Sequence, residues 1–89
     1  MKGIITVLGK DKVGIIANVC TYLSGSNINI LDISQNIVDG YFNMTMIVDI
    51  EKASKPLDIV SDEMANLGET IGVQIKIQHE DVFNCMHRI

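Results

Sequence analysis

Two cysteines, one proline, four aromatic side chains and no tryptophan remove several kinds of small protein from consideration at the outset. Cys20 and Cys85 are too few for the disulfide framework on which small secreted folds rely, so a reducing compartment, the cytoplasm, is expected. Positive charge is also scarce: seven Lys plus Arg stand against eleven Asp plus Glu, for a net charge of -4. With only Tyr22, Tyr41, Phe42 and Phe83 as aromatics, neither the basic footprint that holds duplex phosphates nor the stacking platform that holds single strands is present. No nucleic-acid partner is expected. No apolar run approaches the ~20 residues of a membrane helix. Met1-Lys2-Gly3 leads into too short an apolar stretch for a signal peptide before Gly9-Lys10-Asp11-Lys12, so no membrane association is expected either. What is present is 89 residues with 47% hydrophobic side chains, one domain that buries only ~60–65% of its unfolded surface, a size at which a partner subunit helps.

Hydrophobic periodicity divides the chain into six elements. Ile4-Ile5-Thr6-Val7-Leu8 reads as a strand buried on both faces or nearly so, stopped by Gly9. From Val13 the spacing turns helical, with Val13, Ile16, Cys20 and Leu23 on one stripe and Val19 beside it; Asp11 is placed to cap the start and Gly25 to end it. Residues 28–38 and 41–50 flank Asp39-Gly40, a pair suited to the positive φ angles of a two-residue hairpin turn. In the second of these strands Phe42, Met44, Met46, Val48 and Ile50 alternate with a mostly polar set, giving one core face. In the first, Ile28 and Ile30 share one parity while Leu31, Ile33 and Ile37 share the other, which predicts a β-bulge near residues 30–32. Ser54 and Pro56 open a second helix with Leu57, Val60, Met64 and Leu67 on its stripe and Gly68 as terminator. Val73, Ile75 and Ile77 alternate with polar residues in a last strand. The expected fold is therefore α+β and ferredoxin-like: a βαββαβ sandwich with a four-stranded antiparallel sheet and two helices on one face. Residues 1–79 form the domain and 80–89 a short C-terminal extension in which Val82, Phe83, Met86 and Ile89 make one apolar side of a docking helix.

Because this frame hosts many functions, the side chains must decide. The loop after the first strand lacks the arginine of an acylphosphatase-type hydrolase, and the one arginine is Arg88. It also lacks the Cys-x-x-Cys of a metal chaperone. Phe42 falls on the core side and Tyr41 at a strand end, so the outward aromatics of an RNA-recognition sheet are missing. Gly9 to Gly14 spells G-x-x-x-x-G, but Ile15-Ile16 follows where a phosphate loop needs lysine and a hydroxyl. Cys20 and the core-phase methionines Met44, Met46 and Met64 read as packing. No catalytic residue and no cofactor are expected.

The segment Ile5-Thr6-Val7-Leu8-Gly9-Lys10-Asp11-Lys12-Val13-Gly14-Ile15-Ile16-Ala17, followed by Asn27-Ile28-Asn29-Ile30, resembles the opening of ACT domains, small-molecule sensing modules attached to many enzymes of amino-acid metabolism. The resemblance covers about residues 3–79. The whole chain resembles the short bacterial proteins made of a single ACT domain, and its start resembles the ACT domains of the glycine cleavage system transcriptional repressor. It implies a homodimer or higher homo-oligomer, paired through edge strands, with an amino acid bound where the loop after the first strand meets the partner's second strand. The implied ligand-binding residues are Gly9, Lys10, Asp11, Lys12, Val13 and Gly14 of the loop and Asn27, Ile28 and Asn29 of the facing segment. The chemistry agrees: N–H groups at a helix start receive a carboxylate, Asp11 can accept an ammonium group, and Asn29 can bond to either. The expected role is regulatory rather than enzymatic. Two alternatives remain, a protein-interaction module without ligand, and a metal-binding protein using His79, Glu80, Asp81, Cys85 and His87.

Overall fold

A computed structural model of the chain describes residues 2–10 and 13–81. The elements run β1 (Lys2–Lys10), α1 (Ile15–Gly25), β2 (Asn29–Val38), β3 (Tyr41–Asp49), α2 (Leu57–Ile71) and β4 (Val73–His79). The strands make one antiparallel sheet in the order β2-β3-β1-β4, leaving β2 and β4 as edges. The expected ferredoxin-like topology is the one observed.

One face of the sheet carries the core. Ile5 and Val7 of β1, Phe42, Met44, Met46 and Val48 of β3, and Val73, Ile75 and Ile77 of β4 point the same way and pack with Ile15, Val19 and Leu23 of α1 and Val60 and Met64 of α2. The opposite face is open: Thr6, Thr45 and Ile47 are partly exposed, and Leu8 is 50% exposed, so β1 is not buried on both faces throughout.

Local chemistry explains most boundaries. The hairpin turn has Asp39 at φ 53° and Gly40 at φ 81°, the left-handed pair that a two-residue turn between twisted strands demands. The register shift in β2 falls between Ile30 and Asp32, so Leu31 is the extra residue that brings Ile30, Ile33 and Ile37 onto one face.

Four readings of the helices are corrected. The buried stripe of α1 is Ile15, Val19 and Leu23, with Cys20 half-buried, while Ile16 and Val13 are exposed. Two overlapping apolar series occupy this segment, and starting the helix at Ile15 selects the other one. Its cap position falls on Gly14, not on Asp11, which lies outside the described residues together with Lys12. Its end is set by Asn27 at φ 59° rather than by Gly25: the Ile28 N–H donates to the Leu23 carbonyl at 2.9 Å and the Asn27 N–H to that of Ser24 at 3.2 Å. This is a Schellman cap with asparagine in the left-handed position, closed by packing of Leu23 and Ile28 in the core. In α2, Gly68 does not terminate the helix, which continues to Ile71 and ends at Gly72 with φ 82°. Gly68 is instead the point where helix and sheet meet, since a Cβ there would lie 2.6 Å from the Val73 carbonyl oxygen and 3.0 Å from Ile75 Cγ1. The expected tail helix lies outside the described residues, apart from Glu80 and Asp81.

Candidate functional site

The two halves of the expected site lie at opposite ends of the sheet. Gly9 and Lys10 end β1, level with Phe42 and Tyr41 of β3. Asn29 begins β2 opposite Asp49, which in turn is opposite Lys2 at the start of β1. About seven or eight residue steps at ~3.4 Å separate those levels, roughly 25 Å. Within one chain the loop and the asparagine segment cannot touch the same small molecule.

At the loop end, each glycine has a definable task. A Cβ on Gly9 would lie 2.7 Å from Val73 Cγ1, so glycine there permits β1 and β4 to pack. Gly14 takes φ 90° and ψ 0° and turns the chain into α1. Its carbonyl accepts from both the Asn18 backbone N–H at 2.9 Å and the Asn18 side chain at 2.8 Å. Among the described residues no side-chain cap bonds the start of α1, and its first turn carries no acidic residue. The partial positive charge of that helix end is consequently not neutralised by its own first turn. Val13, immediately before it, is fully exposed, and Lys10 is exposed.

At the other end the three positions separate by role. Ile28 is 5% exposed and belongs to the core. Asn27 is the helix cap described above, and its side-chain N–H donates to the Lys52 carbonyl at 2.8 Å, fastening the turn after β3. That turn is further held by the Asp49 carboxylate, which accepts from the Glu51 N–H at 3.0 Å. Asn29 is exposed. These residues line a polar depression of about 410 Å³ together with Ser24, Asp49 and Lys52. The last three were missed in the sequence. Asp49 was accessible there in principle, because counting back from the Asp39-Gly40 turn and allowing one residue for the bulge sets it opposite Asn29. Ser24 and Lys52 join through the helix cap, which carries no pattern beyond a single asparagine.

A second polar cluster joins the two helices. Glu63 Oε1 accepts from the Tyr22 hydroxyl at 2.7 Å and from Lys55 Nζ at 2.7 Å, with the ammonium 5.9 Å from the centre of the Tyr22 ring. The Lys55 and Tyr22 bonds hold the Glu63 carboxyl below its ordinary range, whereas burial, then the Glu63 carboxylate, pushes the Tyr22 hydroxyl up. The cluster ties α1 to α2 and to the segment between β3 and α2.

Among the described residues no group of three or more His, Cys, Asp or Glu side chains could hold a metal ion. Cys85 and His87, part of the metal alternative, lie outside those residues. No helix among them is long and apolar enough to cross a membrane.

Comparison with known proteins adds the lineage. The ACT domain family profile matches residues 3–78. A UPF0237 protein of Bifidobacterium longum is 58% identical over 88 residues, covering 99% of this chain and 98% of that protein. Among solved structures, an ACT domain protein from Streptococcus pneumoniae superposes with a TM-score of 0.83 at 40% identity, covering 93% of each chain. A putative glycine cleavage system transcriptional repressor shares the fold, with a TM-score of 0.71 at 21% identity over 89% of this chain and 47% of its own.

Proposed function

The chain belongs to the ACT domain family, whose members are regulatory ligand-binding modules, and we propose that it works as a homodimer that binds a small metabolite, an amino acid, between its subunits. The observation that carries this reading is the separation of the two half-sites. A small molecule reaches both only if the open start of α1 from one subunit comes beside the Asn29 end of another. Antiparallel pairing of two β2 edges does this, because it brings the start of one β2 to the end of the other, which lies beside the partner's β1–α1 loop.

The division of labour follows from charge. The ligand carboxylate faces the N–H groups at the start of α1, with Gly14 giving the close backbone approach. Lys10 and Lys12 add positive charge on that side, Val13 offers an apolar contact, and Asp11 accepts the ammonium group. Across the interface Asn29 supplies an amide that donates or accepts, held in position by the Asn27 cap and the buried Ile28. No step of bond making is involved. Output passes through association with another protein or a change in assembly, since ligand binding stabilises whichever state presents the complete site. The expected setting is the cytoplasm.

The test is the melting temperature of ligand-stripped protein against each common amino acid at millimolar concentration. A ligand present at 100 times its Kd adds about 2.7 kcal/mol, which at ~4–8 °C per kcal/mol raises the Tm of a domain of this size by roughly 11–22 °C. A selective rise, lost in Asn29→Ala, supports the reading. A flat response to the whole panel refutes free amino acids as ligands and favours the protein-docking alternative, to which the exposed apolar side chains of β2 also point.

A further inference from the structure

Ile4 is buried on the side of the sheet that carries no helix. It pairs with Ile47 of β3 and Gln78 of β4, whereas Ile5 pairs with Met46 and Ile77, so Ile4 points away from the core. It lies outside the core cluster, yet it is only 9% exposed. Leu8 stands on the same strand and the same face, flanked in the same way by Asn43 of β3 and Gln74 of β4, and is 50% exposed. Flanking strands alone therefore do not bury a side chain here. The rest of the face shows the same gradient: Ile47 and Gln78, level with Ile4, are partly buried, whereas Asn43 and Gln74, level with Leu8, are exposed. Among the described residues no helix or strand lies over this face, since α1 and α2 both pack on the other one.

The remaining chain starts in the right place and has the right length to be the cover. β4 ends at His79, which pairs with Gly3, directly beside Ile4. There the backbone turns helical at Glu80 and Asp81, and His79 Nδ1 accepts the Asp81 N–H at 3.1 Å, the bond by which a residue caps a helix that begins just after it. Residues 82–89 follow, with Val82, Phe83, Met86 and Ile89 repeating at helical spacing. We propose that residues 82–89 fold back over the open face of their own sheet and seat this apolar side on Ile4 and Ile47.

The dimensions agree with the burial. Eight helical residues reach ~12 Å, or two to three strand spacings of ~4.8 Å, enough to cross from β4 over β1 to β3. A helix is ~10 Å across, whereas Leu8 lies four residue steps, ~14 Å, from Ile4, so the cover ends before Leu8. The occupant is the chain's own tail rather than that of a second copy, because residue 82 begins one strand away from Ile4 and closing so short a loop costs little entropy. The tail adds a third layer at one end of a domain whose size leaves it short of buried surface, and it closes that end of the face to stacking by another sheet.

Thiol accessibility reads the cover directly. In the full chain carrying Cys20→Ala and Cys85→Ser, Ile4→Cys and Leu8→Cys are each reacted with a water-soluble maleimide. Ile4→Cys is expected to react roughly fivefold more slowly or less readily still, following the 9% and 50% exposures of the two positions. Ending the chain at Asp81, or adding Phe83→Asp to the full chain, is expected to speed position 4 to the rate of position 8 and to leave position 8 unchanged, with circular dichroism showing that the sheet persists. Equal rates at the two positions in the full chain overturn the proposal. A slow Ile4→Cys that stays slow in both tail variants overturns it as well, since the strands themselves then provide the burial. The shortened Ile4→Cys chain, unfolded and refolded together with full-length protein of native Ile4, separates the two possible owners of the tail. A rate that remains fast is expected; renewed protection means that the tail crosses to a second copy, and overturns docking on its own sheet.

Discussion

Replacing Gly68 with alanine sets helix propensity against packing. In the middle of a helix alanine is favoured over glycine by ~0.8–1 kcal/mol, so by sequence alone the change should stabilise α2. In the fold, the new Cβ would lie 2.6 Å from the Val73 carbonyl oxygen and 3.0 Å from Ile75 Cγ1. The oxygen belongs to backbone at the start of β4 and cannot rotate away, so α2 must lift from the sheet along the face that buries Val60 and Met64. Overpacking of this kind costs ~1–3 kcal/mol, more where backbone must move, and with backbone as the nearest atom the upper end applies. Net of propensity, Gly68→Ala is expected to lose about 2 kcal/mol, and at ~4–8 °C per kcal/mol for a domain of this size the Tm should fall by roughly 8–16 °C. Gly25→Ala is the matched control: it lies in the last turn of α1 with nothing within 4 Å of the added Cβ, and it should leave the Tm unchanged or raise it slightly. Thermal unfolding followed by circular dichroism decides the matter. A Gly68→Ala Tm equal to or above that of the parent protein would refute the claim that α2 approaches β4 too closely for any side chain.

The remaining expectations concern the caps and the Lys55–Glu63 ion pair. Asn27→Gly keeps the left-handed cap and loses the bond to the Lys52 carbonyl, whereas Asn27→Ala loses both; alanine should be the worse by about 1 kcal/mol in denaturant unfolding. Gly40→Ala meets no neighbour but must hold φ 81°, so strain alone should cost ~1 kcal/mol and leave the fold unchanged by circular dichroism. For Glu63 the folded carboxyl is held below its ordinary range, so its contribution is present above the unfolded value and is lost as pH falls through the folded one. The Tm difference between the parent protein and Glu63→Gln should accordingly be present at neutral pH and close as pH drops below the ordinary carboxylate range; a difference that persists unchanged there would contradict the Lys55 and Tyr22 bonds as its source.

Element order, hairpin turn and bulge were legible because each rests on local chemistry. Asp39-Gly40 has few competitors as a tight turn, and the parity change between Ile30 and Leu31 has one economical explanation. The phase of α1 was not legible in the same way, because Val13-Ile16-Cys20 and Ile15-Val19-Leu23 are both acceptable stripes; what chooses is the left-handed turn at Gly14, which sets where the helix can begin. Gly25 and Gly68 misled for a shared reason. Glycine marks either a positive φ or a close approach, and only tertiary structure separates the two: Gly68 serves approach, and the left-handed ends fall on Asn27 and Gly72. At the candidate site the loop and asparagine positions were legible through family resemblance, while Asp49 and Lys52 enter through strand register and a helix cap that link residues far apart in sequence.

This overlap between structural and binding roles governs which substitutions can test the function. Gly9 is required by packing against Val73, Gly14 by its φ of 90°, Asn27 by the cap of α1 and Ile28 by the core. Changing any of these disturbs the fold first, so loss of a ligand effect there would be uninformative. Asn29, Lys10 and Val13 are different: all three are exposed, and nothing in the core depends on them. A true ligand site predicts that Asn29→Ala leaves the stability of the ligand-free protein within ~0.5 kcal/mol of the parent while removing the ligand-induced shift in Tm. Lys10→Ala should weaken that shift in a salt-dependent way, because an exposed ammonium group acts on a carboxylate through a screened field. If instead both variants keep the full shift, the ligand is bound somewhere other than between the start of α1 and the β2 edge, and the two-subunit site is wrong even though a metabolite binds.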